Sequence, residues 1–406
     1  MTPATVRDRL MMVAKNAGAV IDKRAGTTTV APNSDSALAA VLGAASDGGW
    51  HMTFRGSGTW SGKENTGLII SSEALDSVVD VRPGDLVAEV QAGVTMQALA
   101  STLAERKVWF PVDPPGLPQR TLGSVLATGT SGPLRNGFGA VRDQILGVTV
   151  LTPRGRRLQF GGQVVKNVAG FDLTKLIVGS FGAFGLITSA YIRLRSMPAI
   201  DTTLLAVGTR DELFEHAQHI RRAGTEVASV ELLAAGTSGV ESWALVVRIV
   251  GSELAVSKNI EEIRRAAPGA FSDDPTPYAR SSLPAALGGV GRHPVTMRVG
   301  CQPTQMPRAA TMIHDTLGSS AWMMASVGSA SIRWSGDASI PQLQRAREEA
   351  ARKHMPVTIE RAPREVLGAL GHFGLYRSGV EPIVNGLRDV FDPDRQVSVA
   401  LGPRTT

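Results

Sequence analysis

The stretch Phe54-Arg55-Gly56-Ser57-Gly58-Thr59-Trp60 decides how this chain is read. Gly56, Gly58 and Gly62 nearly reproduce the spacing of the glycine-rich turn of a dinucleotide-binding β-α-β unit. That turn works only where it opens a helix, whose N-terminal amides meet the pyrophosphate. Here the next regular segment is Gly67-Leu68-Ile69-Ile70-Ser71, a short apolar run flanked by Gly and Ser, which predicts a strand. The glycines therefore belong to a strand-to-strand loop whose successive N–H groups can converge on an anion. An ordinary tight turn is the competing explanation. It weakens because two further small-residue segments accompany the first, Thr121-Leu122-Gly123-Ser124-Val125-Leu126-Ala127 and Lys166-Asn167-Val168-Ala169-Gly170-Phe171-Asp172-Leu173. Three such segments, each beside a strand-like run and spread over about 120 residues, imply a single long phosphate-bearing cofactor.

Working outward, a strand at 50–54 leads into the first loop, preceded by a helix from Ser34 or Asp35 to about residue 45 with Ala37, Leu38, Val41, Leu42 and Ala45 at helical spacing. A second unit follows, with a strand at 86–93 and a helix at 96–105 whose Met96, Leu99, Ala100 and Leu103 share one face. The Pro- and Gly-rich bend at 111–116 can wrap a ligand without regular hydrogen bonding. Gly179, Gly182 and Gly185 precede another strand-like run at 186–192. Beyond Met197-Pro198 the pattern changes. Strand, helix, strand, strand, helix (203–208, 211–222, 228–233, 243–250, 253–265) is echoed at 296–301, 305–317, 321–327, 330–334 and 340–354. This repetition predicts an antiparallel sheet with helices on one face. The Pro-, Gly- and Ser-rich stretch 268–294 reads as a long irregular loop, and a strand at 357–360 and a helix at 382–390 follow.

The 406 residues exceed what one hydrophobic core normally organises, so at least two domains are expected, and 43% hydrophobic residues suffice to fill them. Cys301 is the only cysteine, which excludes a disulfide framework and a cysteine-ligated iron-sulfur cluster within this sequence. The net charge of +6 comes from basic residues interspersed with acids, as in Glu261-Glu262-Ile263-Arg264-Arg265, a pattern of solvated helix faces rather than of nucleic-acid binding. Leu10-Met11-Met12-Val13-Ala14 is too short for a signal peptide or a membrane span and reads as part of an amphipathic helix. His216 and His219 stand at i, i+3 on a polar helix without a third ligand, so no metal site is expected.

With these motifs in view, the chain resembles the FAD-binding proteins of the vanillyl-alcohol oxidase and p-cresol methylhydroxylase (PCMH) type, and within them the FAD-binding E subunits of bacterial glycolate oxidase. The resemblance rests on Ser131-Gly132-Pro133-Leu134-Arg135, Gly139-Ala140-Val141-Arg142-Asp143, the run from Phe160 through Lys166 to Leu173, and Gly179-Ser180-Phe181-Gly182-Ala183-Phe184-Gly185. It is dense from about residue 26 to 198 and thin afterwards, apart from Glu360-Arg361-Ala362-Pro363-Arg364-Glu365-Val366. It implies an α+β protein with a two-subdomain PCMH-type FAD-binding domain at 1–198 (about 1–84 and 85–198). An antiparallel, ferredoxin-like cap at 199–355 and a C-terminal segment at 356–406 would follow.

The same resemblance implies FAD held by Arg55, Gly56, Ser57, Gly58, Thr59 and Trp60 of the first loop. Pro114, Thr121, Gly123, Ser124, Ala127, Ser131 and Gly132 would contribute from the second region, and Gly182, Gly185 and Ile187 from the third. Thr59 stands where covalent members carry a flavin-bonding histidine, so FAD would be noncovalent. The histidine motif of the catalytic sister subunit is missing, and no catalytic base emerges. Gln396-Val397-Ser398-Val399-Ala400 replaces the usual Asn-Pro-Gly-Arg ending, which bears on cofactor affinity. The expectation is an FAD-binding subunit of a glycolate oxidase complex that oxidises glycolate or a related 2-hydroxy acid to the glyoxylate-type product. A catalytic FAD subunit and an iron-sulfur subunit would be its partners, and it would be cytoplasmic or membrane-associated only through them. Two other readings stay open: a structural partner with weakened flavin binding, and a stand-alone dehydrogenase whose substrate meets Arg298, Arg333 or Arg361.

Overall fold

The computed structural model describes residues 3–24, 26–60, 67–163, 172–237, 242–271, 286–318, 322–374 and 379–402. The first sheet contains β1 (Val20–Arg24), β2 (Thr27–Ala31), β3 (Met52–Arg55) and β4 (Gly67–Ser71) in the order β1-β2-β4-β3. β2, β4 and β3 run parallel, and β1 is antiparallel to β2. Helix Asp35–Asp47 makes the crossover from β2 to β3. The Ser34 hydroxyl accepts the Ala37 N–H at its start, and it buries Ala37, Leu38, Val41, Leu42 and Ala45, the apolar set read from the sequence. The edge strand β3 is extended by the tail: Met52 N–H donates to the Gln396 carbonyl and Ser398 N–H to the Met52 carbonyl, both at 2.8 Å.

The second sheet is antiparallel throughout. It contains β5 (Val78–Arg82), β6 (Val87–Gln91), β8 (Ile145–Leu151), β9 (Arg157–Gly161) and β10 (Leu186–Arg193) in the order β5-β6-β10-β8-β9, while β7 (Val108–Trp109) and β11 (Arg195–Ser196) pair separately. Helix Met96–Glu105 starts where the Thr95 hydroxyl accepts the Ala98 N–H and packs Leu99 and Leu103 inward. The small-residue segment Thr121 to Ala127, whose composition reads as a loop, is instead helical from Leu122 to Thr128. Thr121 caps it by accepting the Ser124 N–H, and Gly129, at φ +60°, ends it in the left-handed conformation that glycine tolerates.

The third sheet has seven antiparallel strands: β12 (Ile200–Gly208), β13 (Ser229–Leu233), β14 (Trp243–Gly251), β15 (Val295–Gly300), β16 (Trp322–Ser326), β17 (Ser331–Gly336) and β18 (Val357–Arg361). Their order is β12-β14-β13-β16-β17-β15-β18. Helices Arg210–Arg222, Glu253–Ala266, Met306–Leu317 and Ile340–Arg352 supply one core with Phe214, Ile263, Ile313 and Leu343, against Leu232, Leu245, Met297, Ile332, Trp334 and Ile359 of the strands. The two-residue period of a strand then fixes what the opposite face carries. Leu233, Ala244, Val246 and Met324 form a separate apolar cluster there. Glu231, Arg298, Arg333 and Glu360 alternate in the same way with residues of the helix-side core. The stretch 268–294 is not wholly irregular as expected: in its described part residues 286–289 are helical and run into a 3-10 turn, Val290–Arg292.

That second face lies over the loops of the first two sheets. Trp60, 5% exposed, fills the cluster of Leu233, Ala244, Val246, Trp322 and Met324, and its indole N–H donates to the Glu360 carbonyl at 3.3 Å. Gly137 N–H donates to the Ala228 carbonyl and the Asn136 amide to the Val227 carbonyl. The seam is therefore dry at Trp60 and hydrogen-bonded around it. Replacing Trp60 with Ala removes a large buried side chain and is expected to cost about 3–5 kcal/mol. A urea midpoint unchanged from wild type would contradict this anchoring role.

Candidate functional site

The first two small-residue segments converge, and the glycines after Val178 join them. Gly56 lies against Thr121 so closely that a Cβ on it would come within 2.1 Å of the Thr121 hydroxyl oxygen. The Ser57 hydroxyl donates to the Gln119 carbonyl at 2.9 Å and lies 3.1 Å from the Thr59 hydroxyl. Gly179 N–H and Phe181 N–H donate to the carbonyls of Leu126 and Ala127. A Cβ on Gly129 would lie 3.0 Å from the Gly179 Cα, and one on Gly182 would lie 3.5 Å from the Phe54 ring. The part of the third segment from 164 to 171, Lys166 included, lies outside the described residues, and Asp172 pairs with Lys175 at 3.3 Å.

Within this cluster the loops play different parts. The loop after β3 has Gly58 at φ +78°, with the Arg55 side chain packed beneath it, and Arg55 in turn donates to the Thr29 hydroxyl. The backbone N–H groups of Ser57, Gly58, Thr59 and Trp60 have no acceptor among the described residues. A run of free amides at the end of a strand, with no acidic residue among them, fits a pyrophosphate. The second segment differs, because Leu122, Gly123 and Ser124 already donate to the Val94 carbonyl, the Ala92 carbonyl and the Thr121 hydroxyl. Gly123 has a packing reason of its own, since a Cβ there would press on Ala92 at 2.8 Å. Gly132 is bound in the same way by the Asp113 carbonyl. Gly185, at φ +133°, abuts the Leu151 carbonyl, and Ile187 is buried beside Val150 just before a bulge in β10.

Sequence reasoning singled out Arg298 and Arg333 but missed Arg120 and the carboxylates around them. Arg120, 1% exposed, donates to the Pro115 carbonyl at 2.8 Å and the Thr128 hydroxyl at 2.6 Å, and also to Thr130 and Ser124. Its guanidinium carbon stands 3.8 Å over the Trp60 ring. Burial lowers it to about 9, so it stays charged at neutral pH. The signal available was the absence of any acidic residue between Asp113 and Asp143 in a stretch holding three arginines. Pro114, half-buried, precedes the carbonyl that Arg120 uses.

Glu360 takes a fork from Arg333, at 2.8 and 3.1 Å, and a third bond from Arg298 at 2.9 Å. Burial alone would raise its carboxyl, but the two guanidiniums outweigh that and hold it at about 2. Arg333 also donates to the Ser131 carbonyl at 3.1 Å, and the Ser131 hydroxyl accepts the Val141 N–H. Arg361 spends its guanidinium on the carbonyls of Gly291 and His293. Beside this network, burial pushes Asp113 up to about 7, although the Leu134 N–H donates to it. Burial raises fully enclosed Glu231 well above the carboxylate range, and only one of its oxygens has a partner, the Ser326 hydroxyl. A surface cleft of about 600 Å³ lined by Asp47, His51, Arg154 and Asp394 includes none of the expected cofactor residues. Among the described residues no group of three or more His, Cys, Asp or Glu could hold a metal ion.

Replacing Glu360 with Gln leaves two arginines beneath the cap without counter-charge, and breaking a buried pair in this way costs about 3–5 kcal/mol. The folded carboxyl lies below its unfolded value of about 4.3, so the contribution is whole above that pH and vanishes as pH falls towards 2. Unfolding midpoints of wild type and E360Q are therefore expected to differ at pH 7 and to approach one another in acid. A constant gap would contradict the assignment.

Comparison with known proteins agrees with this geometry. Residues 27–161 match the family described as FAD binding domain. The glycolate oxidase subunit GlcE of Escherichia coli (strain K12) is 31% identical over 198 residues, 48% of this chain and 54% of that protein. The glycolate oxidase subunit GlcD of Bacillus subtilis (strain 168) is 29% identical over 182 residues, 44% of this chain and 39% of that protein. The chain thus spans about half, or less, of the length of these curated relatives. A carbohydrate oxidase from Microdochium nivale, crystallised with a substrate analogue, superposes over 98% of this chain and 100% of its own with a TM-score of 0.74 at 12% identity, a likeness of fold. The amides after β3 that lack an acceptor among the described residues lie inside the matched segment.

Proposed function

We propose that this chain is the FAD-binding subunit of a complex that oxidises a small 2-hydroxy acid of the glycolate class. A second flavoprotein would carry out the substrate chemistry, and an iron-sulfur protein would remove the electrons. The observation that carries the proposal is the set of four consecutive amides, Ser57 to Trp60, with no acceptor among the described residues, braced by Arg55 and held against Thr121. The similarity to two glycolate oxidase subunits supports the substrate class and the idea of partners.

FAD, when bound, accepts a hydride or single electrons. The residues of this chain hold and shield it. Ser57, Gly58 and Thr59 present N–H groups to its phosphates, and Trp60 closes the loop under the cap, excluding water. Ser131 and Gly132 are kept in place by Arg333 and Asp113. Thr59 offers a hydroxyl already hydrogen-bonded to Ser57, which supports noncovalent attachment. Asp113, titrating near neutrality, can take up or give a proton at the seam.

A division of labour between subunits is supported by the fate of the cap arginines. Arg298 and Arg333 share Glu360, and Arg361 is engaged by backbone carbonyls, so none of the three expected substrate cations is fully free. One cysteine is too few to ligate a cluster within this sequence, which supports a separate cluster-bearing partner. No helix among the described residues is long and apolar enough to cross a membrane, so attachment to one would run through partners.

The visible spectrum of the purified chain before and after acid precipitation tests this reading. Flavin bands that pass into the supernatant as FAD are expected, with glycolate oxidation only when partner subunits are added. Turnover by the isolated chain would favour the stand-alone dehydrogenase, and a colourless chain that cannot be reconstituted would favour the structural partner. Gly58→Leu forces a side chain onto a backbone at φ +78° and against Arg55. It is expected to lower bound flavin per chain by at least about tenfold while the cap unfolds as in wild type. Full flavin content in that variant would remove this loop from the site.

A further inference from the structure

We propose that a pocket of about 400 Å³ at the outer edge of the seam binds a small dianion, a dicarboxylate or a phosphate monoester, at a site separate from the free amides after β3. Arg135 stands on one side of it, from the short helix Arg135–Phe138 that touches β13 through Gly137. Arg298, Cys301 and Gln302 come from β15 and the turn after it, Ser331 opens β17, and Lys353 follows helix Ile340–Arg352. No acidic residue lines the pocket among the described residues.

The charge count around it is unbalanced. Glu360 serves both Arg298 and Arg333, and Glu349 serves both Lys353 and Arg352. Both of these carboxylates are thus divided between two cations, and Asp143 pairs with Arg142. Arg135 has no share in either: its guanidinium makes no hydrogen bond or ion pair among the described residues. Of the charges acting on it, Arg298, Arg142 and Arg333 repel and Asp143 attracts. A ligand with two negative charges would relieve this repulsion, and the planar guanidinium of Arg135 suits a carboxylate or phosphate better than an ammonium would. The hydroxyl of Ser331 and the amide of Gln302 supply neutral polar partners for the rest of such a molecule. A monoanion as small as glycolate would leave most of the charge and volume unanswered.

Cys301 offers a readout that does not depend on the flavin or on turnover. It is the only cysteine, it lines the pocket, and burial pushes its thiol up to about 11, so it reacts slowly and its rate reports access. The experiment follows alkylation of Cys301 by mass spectrometry in the flavin-loaded chain, with succinate, glycerol 3-phosphate or chloride at matched ionic strength. Protection by succinate or by glycerol 3-phosphate, but not by chloride, is the expected result, and which of the two protects identifies the source of the dianion. Arg135→Gln, which removes no hydrogen bond or ion pair among the described residues, is expected to weaken protection by about tenfold at unchanged flavin absorbance. Lys353→Gln should weaken it in the same direction. No protection by either dianion up to about 10 mM, or equal protection in wild type and R135Q, would overturn the site.

Discussion

One carboxylate governs how the two halves of this molecule meet. Glu360 accepts three charged hydrogen bonds from Arg333 and Arg298 on the face of the third sheet that looks towards the cofactor loops. Burying such a group is costly unless geometry and hydrogen bonding are nearly complete, and here both are. The same residue offers its backbone carbonyl to Trp60, and Arg333 reaches past it to the Ser131 carbonyl. Side chain and main chain of one residue therefore fix the cap over both the first loop and the second.

Much of the architecture was legible because its signals are local. Ser34 and Thr95 cap helices whose apolar spacing is regular, and Gly67 to Ser71 could not be mistaken for the helix that a dinucleotide turn requires. The repeated order of elements after residue 198 foretold one antiparallel sheet with its helices on one side. Helix Leu122–Thr128 was hidden by its composition, since Gly123, Ser124 and Thr128 are poor helix formers. What stabilises it is tertiary: the carbonyls of Ala92 and Val94 take its first amides, and no pattern within the segment announces them.

The candidate site was legible to a similar depth. The approach of the first loop to residues 119–121 followed from its glycines, but which segment still had amides to give depended on partners far away in sequence. The central arginines were harder still. A buried Arg120 satisfied by carbonyls, hydroxyls and the Trp60 ring has no carboxylate partner to reveal it, and the pairing of residue 360 with residues 298 and 333 is a property of strand order. The run without acids from residue 114 to 142 was the one local hint that positive charge is being gathered at the seam.

The pairing of Met52 with Val397 and the bond from Trp60 to Glu360 have a kinetic side as well. The strand that leads into the amides of residues 57–60 gains its outer neighbour from residues 396–398, and the residue that ends them is seated by the cap cluster and by residue 360. Contacts separated by 300 residues close late, because chain entropy must be surrendered before they form. During synthesis the first two sheets can assemble while the loop after β3 still lacks its final shape. That loop is accordingly among the last parts of the chain to settle, once residue 360 and the tail are in place.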